Sequence, residues 1–131
     1  MNIGQAASAS GVPAKTIRYY ESIGLLKPAP RSEGGYRVYG DTDLRVLKFI
    51  QRARSLGFSV KDVGNLLQLW SDRERSSADV KAVALRHVEE IDRKLAELQS
   101  MRDTLIYLTH RCHGDDRPDC PIIEDLARAE A

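Results

Sequence analysis

The sequence predicts a mainly α-helical fold: a winged helix-turn-helix head, one long helix that dimerises as an antiparallel coiled coil, and a C-terminal loop with a short helix. Three observations carry this expectation. Short amphipathic stretches with capping signatures follow one another in pairs over the first seventy residues, a stretch of about thirty residues then keeps a 4-3 apolar spacing, and both cysteines of the chain, Cys112 and Cys120, stand after it.

With 131 residues, 42% apolar and 30% charged, the composition is that of a soluble globular chain with one small core and something extended. MNIGQAASAS has neither a basic leader nor a signal-length apolar run, and no stretch approaches a membrane span, so a cytoplasmic protein without a membrane partner is expected. The net charge of +1 conceals an asymmetry. Up to Val60 there are nine Lys/Arg against four Asp/Glu, and beyond it eleven against fifteen, so the halves carry +5 and −4. Phosphate contacts therefore belong to the basic first half.

Asn2 with Gln5 is a capping box opening a helix over 3–11, and the Gly11-Val12-Pro13 turn leads to a second over 14–23. Ile17, Tyr20 and Ile23 or Gly24 are spaced for burial there, leaving Lys15, Arg18, Tyr19 and Ser22 outward. Pro28 and Pro30 stop any helix, and the segment 31–39, with Gly34-Gly35 between alternating residues, reads as a β-hairpin or wing. Asp41 or Thr42 caps a third helix to about Ser55 with Leu44, Leu47 and Ile50 or Phe49 inward, and Gly57 ends it. Ser59 with Asp62 opens a fourth through Val63, Leu66, Leu67 and Trp70. After a polar connector over 71–78, Ser76-Ser77-Ala78-Asp79 opens the long helix, expected over 79–109 and about 45 Å long at 1.5 Å per residue. Ala84, Val88, Ile91, Leu95 and Leu98, then Met101, Leu105 and Leu108, form a seam that a single helix cannot bury, so a homodimer is expected. The head thus covers 1–70, and the loop with its short helix, starting at Pro121, covers 110–131.

In a helix-turn-helix the second helix enters the major groove, where Lys15, Arg18 and Tyr19 are residue types that reach base edges and phosphates. Arg31, Tyr36 and Arg37 put guanidiniums and a phenol on the adjoining wing. Alternation sends Tyr36 and Val38 to one face and Arg37 and Tyr39 to the other, and simple packing accounts for one of the two tyrosines. An enzyme is not expected, because there is no glycine-rich phosphate loop and no nucleophile with a plausible base.

Cys112 and Cys120 close a loop that Gly114 and Pro118 allow to turn, and in a reducing compartment they read as free thiols able to meet one metal ion. Two soft thiolates suit a monovalent d¹⁰ ion, whereas zinc usually takes four ligands. A Cys112–Cys120 disulfide and a tetrahedral site adding His110 or His113 stay open as alternatives, as does a regulator that senses an organic or oxidative signal.

IRYYESIGLLKPAPRSEGGYRVY followed by LRVLKFIQRARSLGFSVKDV resembles the winged-helix head of the MerR family of transcription regulators, and the likeness runs through nearly the whole chain. The resemblance implies that Arg18, Tyr19, Arg31, Tyr36 and Arg37 hold operator DNA, with a phosphate contact from Arg54. It further implies a dimeric activator on an overlong promoter spacer, which its effector-bound form bends and untwists so that RNA polymerase engages both promoter elements. The cysteine pair ahead of Pro121-Ile122-Ile123 is similar to the family's copper-efflux branch, implying Cu(I) as effector, with Ag(I) or Au(I) of the same class, and induction of copper efflux and detoxification genes. Ser77 falls where divalent-metal branches carry a cysteine, which implies monovalent selectivity, and two cysteines are too few for the iron-sulfur branch. The tail Asp125-Leu-Ala-Arg-Ala-Glu-Ala131 is not expected to bind metal.

Overall fold

Asn2 opens the fold through the reciprocal pair its spacing predicts: its Oδ1 accepts from the Gln5 N–H at 2.8 Å, and Gln5 Oε1 accepts from the Asn2 N–H at 2.9 Å. In the computed structural model, which describes residues 1–128, this box starts α1 (Ile3–Ser10), and Gly11 ends it in the left-handed conformation at φ 76°. A residue with a Cβ is strained there, which is why glycine holds the position. α2 (Ala14–Ser22) follows, then α3 (Asp41–Ser55), α4 (Val60–Ser71), α5 (Ser77–Arg111) and α6 (Pro121–Ala127). No strand occurs among the described residues.

Several expectations need correction. The wing is not a β-hairpin: a single antiparallel bridge joins Arg31 to Arg37, because the short segment between Pro30 and Gly40 is spent on the turn at Gly34-Gly35. α3 is capped by Gly40 rather than by Asp41 or Thr42, with the Gly40 N–H donating to Asp43 Oδ2 at 2.9 Å. α2 stops at Ser22, and Ile23 is exposed. The long helix begins at Ser77 because Ser76, not a later residue, is the cap: Ser76 Oγ accepts from the Ala78 N–H at 3.0 Å. It runs on to Arg111, beyond the expected end at residue 109.

The chain forms two compact units, one over Met1–Val83 and one from Ala84 onward. In the first, α1 packs on α2 and α3, and α3 on α4. Ile17 and Tyr20 from α2, Leu47, Ile50 and Ala53 from α3, and Val63 from α4 close the core with Val12, Leu26 and Tyr39. Backbone pairing between Met1 and Tyr39 ties the chain start to the end of the wing: the Tyr39 N–H donates to the Met1 carbonyl at 2.7 Å, and the Met1 amino group donates to the Tyr39 carbonyl at 2.8 Å. The second unit is α5 from Ala84 on, the cysteine loop and α6. Of its seam, Val88, Ile91, Leu95, Leu98, Met101 and Leu105 are exposed and Leu108 is buried. No helix among the described residues is long and apolar enough to cross a membrane.

Candidate nucleic-acid interface and metal centre

α2 turns two faces in opposite directions, as its 3.6-residue period requires. Ile17 and Tyr20 are buried, while Lys15, Arg18 and Tyr19 are exposed. Arg18, Arg31, Tyr36 and Arg37 line one recess of about 200 Å³ with Asn2, Ile3 and Gly35, and Arg18, Arg31 and Arg37 also line a second of about 480 Å³. The structure therefore brings three predicted arginines together where the second helix meets the wing. Arg31 Nη1 also donates to the Gly35 carbonyl at 3.1 Å, bracing the wing turn, and Tyr36 is 75% exposed. Lys15 and Tyr19 lie outside both recesses. Arg54 is used locally: its Nη1 donates to the Phe58 carbonyl at 2.6 Å and clasps the turn from α3 into α4.

Tyr39, not Tyr36, is the wing tyrosine that packs inward. Its hydroxyl donates to Glu21 Oε1, and Arg37 Nη1 lies 2.8 Å from Glu21 Oε2. Burial, then the hydrogen bond to the Glu21 carboxylate, pushes the Tyr39 hydroxyl up to about 12. Glu21 was missed by the sequence reading, although a signal existed: it follows Ile17 by four residues and so sits on the buried stripe of α2.

At the other end of the chain, Cys112 leaves α5 with its N–H donating to the Leu108 carbonyl at 3.1 Å, and Cys120 is the residue from which α6 starts. Gly114 turns the loop at φ 65°, and Asp115 clasps it, accepting from the Arg117 backbone N–H at 2.9 Å and from Arg117 Nε at 2.8 Å. The two Sγ atoms stand 3.6 Å apart, half-buried and unbridged. For metal–sulfur bonds of about 2.3 Å the sulfurs can stand at most about 4.6 Å apart, so the pair can share one ion, and a near-linear arrangement asks the loop to open by about 1 Å. The Ile123 N–H at the start of α6 lowers the Cys120 thiol below the usual thiol range, aided by Cys112 and the Ile122 N–H. His110 and His113 are exposed, and no group of three or more His, Cys, Asp or Glu side chains among the described residues is arranged around one ion. Ser77 is the first residue of α5, one past its cap. Of the C-terminal tail, residues 129–131 lie outside the described residues.

A recognition helix braced against a basic wing defines a DNA-binding regulator. Residues 1–70 match the model of the MerR HTH family regulatory proteins, and residues 44–108 match that of the MerR DNA-binding region. The chain belongs to the MerR family of transcription regulators. It is 59% identical over its whole length to heavy metal-dependent transcription regulator 2 of Rhizobium meliloti, covering 89% of that protein. It is 47% identical to the regulator CueR of Salmonella typhimurium over 97% of this chain and 92% of that one. Among solved structures, the lead(II) complex of the transcription regulator PbrR691 from Ralstonia metallidurans CH34 superimposes with a TM-score of 0.83 at 31% identity, over 97% of this chain and 99% of that one. These relatives are regulators, in agreement with the expectation that the chain is not an enzyme.

Proposed function

We propose that this chain is a metal-responsive activator that reads Cu(I), or Ag(I) and Au(I) as ions of the same class, through Cys112 and Cys120. The observation that carries the reading is the pair of free thiols 3.6 Å apart at the mouth of α6, with no third donor grouped with them among the described residues. Two thiolates and one monovalent ion leave a single negative charge beside the free N–H groups that open α6. Ser77, at the start of α5, stands where a third thiolate would favour a divalent ion, and the missing thiol is what supports monovalent selectivity. The names of the heavy-metal-dependent and CueR relatives support a metal signal.

In this reading the functional division is a DNA-binding head over 1–70, a connector over 71–78, a dimerisation helix over 79–109 and a sensor over 110–131. Lys15, Arg18 and Tyr19 reach into the major groove, Arg31, Tyr36 and Arg37 hold the backbone from the wing, and Arg54 adds a phosphate contact. The exposed seam of α5 meets the same seam of a second copy as an antiparallel coiled coil. The metal bridges the two thiolates of the sensor loop, spreading them by about 1 Å, and the dimer then bends and untwists the overlong spacer, at a deformation cost of a few kcal/mol, so that RNA polymerase engages the promoter of copper efflux and detoxification genes. The protein acts in the cytoplasm.

Anaerobic titration with Cu(I) and with Zn(II), followed by X-ray absorption, tests the assignment. One Cu(I) per cysteine pair at coordination number two is expected. Tight Zn(II) binding at coordination number four, lost in His113→Ala, with no stoichiometric Cu(I) binding, would sink it in favour of a divalent Cys/His site.

A further inference from the structure

Glu21 is a carboxylate in a place where the fold has an apolar alternative. Its side chain is 4% exposed, on the face of α2 that carries Ile17 and Tyr20 into the core. A buried ion pair is seldom a better stabiliser than well-packed apolar residues, because both charges must be stripped of water. This carboxylate also lines the 480 Å³ recess with Arg18, Arg31 and Arg37, on a surface that meets polyanionic DNA in the reading above. A negative charge there opposes every phosphate that approaches. What it does there is shown by its two partners, both on the wing: Tyr39, eighteen residues away, on one oxygen and Arg37 on the other.

We propose that Glu21 is a positioning residue for DNA binding, a joint by which α2 holds the Arg37 guanidinium in place by ion pairing so that its N–H groups take a backbone phosphate. The hold is electrostatic: Arg37 Nη1 lies 2.8 Å from Glu21 Oε2, yet that oxygen accepts no directed hydrogen bond among the described residues, so the five N–H donors of the guanidinium fork stay available for a phosphate. The Arg37 side chain remains 33% exposed while paired, which leaves its outer edge open. Tyr39 fixes the other end of the joint, since its ring is buried and its hydroxyl is held by the same carboxylate. The helix and the wing are then one rigid reader, and the phosphate contact of Arg37 carries less ordering cost on binding. This inference rests on the reading of Arg37 as a DNA contact.

The test uses the full chain and a fluorescent duplex enriched from random-sequence DNA on the wild-type protein, with anisotropy as readout. Glu21→Gln removes one negative charge from the DNA-facing surface, so simple electrostatics predicts tighter binding. The joint predicts the opposite, a loss of roughly fivefold or more, comparable to that of Arg37→Ala, and a double variant no weaker than Arg37→Ala alone. Unchanged or tighter binding by Glu21→Gln, or a double variant that loses the product of the two single effects, overturns the proposal. If Arg37→Ala binds like wild type, the contact reading of Arg37 falls and the joint with it; a loss in Arg37→Ala without one in Glu21→Gln removes the joint alone. Should Glu21→Gln lose the circular dichroism of the fold, Glu21→Asp, which keeps the charge but withdraws it from Arg37, takes its place with the same outcomes.

Discussion

The two units of the chain solve the burial problem in opposite ways. The unit over Met1–Val83 closes its own core, with Ile17, Leu47, Ile50 and Val63 fully buried and drawn from three helices. From Ala84 onward, the apolar positions lie along one face of α5, and Ile91, Leu95, Leu98 and Met101 stay 38–59% exposed. An exposed apolar seam of that length marks an interaction surface. Stability in the head is thus set within one chain, whereas in the proposed dimer that of the helix would depend on concentration and a partner. In the proposed dimer that division would let a rigid reader keep its shape while an interface held together by association responds.

Substitutions in one unit should leave the other unit's property intact, and the sensor offers the largest effect. Replacing both Cys112 and Cys120 by Ser is expected to abolish copper-dependent induction in a reporter strain while the protein still melts as wild type; retained induction would separate the thiols from the signal. Next in size, Leu47→Ala should cost about 2–5 kcal/mol of head stability in a denaturant titration, because the side chain is fully buried. Metal stoichiometry at the cysteine pair should survive as long as the chain is folded. Leu98→Glu, placing a charge on the exposed seam, should weaken self-association about ten- to hundredfold in sedimentation equilibrium and leave the head's melting unchanged. If dimerisation is indifferent to it, the seam does not carry the interface.

The smallest effect is a pH dependence confined to the head. Tyr39 has its hydroxyl raised from 10.0 to about 12, so the folded state holds that proton more tightly than the unfolded chain. The resulting stabilisation is complete below pH 10 and is lost as pH rises towards 12. Comparing thermal unfolding of wild type and Tyr39→Phe across that window should show a fall present in the first and missing from the second.

Much of the site was legible in advance, but unevenly. Sequence pattern alone marks Arg18, Arg31 and Arg37 as exposed cations on a helix and an adjoining wing, and the structure gathers them around shared recesses. The Cys112 and Cys120 spacing implied a shared loop, and the thiols do meet. Alternation along the wing, however, placed Arg37 with Tyr39 without saying which face turned inward, and it suggested a hairpin where only one bridge forms. Nine residues between Pro30 and Gly40 leave too few pairs for a ladder once the turn is made.

By itself the sequence determined what depends on neighbours three or four residues apart. The Asn2–Gln5 box, the Ser59 cap on α4 and the Gly11 stop are contacts of that range, complete within a turn of helix, and the apolar face of α5 follows from the same spacing. Only the tertiary structure decided which tyrosine of the wing is buried, that Glu21 faces Arg37, and that Asp115 clasps the sensor loop through Arg117. The first two join segments far apart in the chain, and a buried carboxylate finds its partner only once the core around it has excluded water. The third lies within two residues but needs the loop's particular turn, set at Gly114, to bring donor and acceptor together.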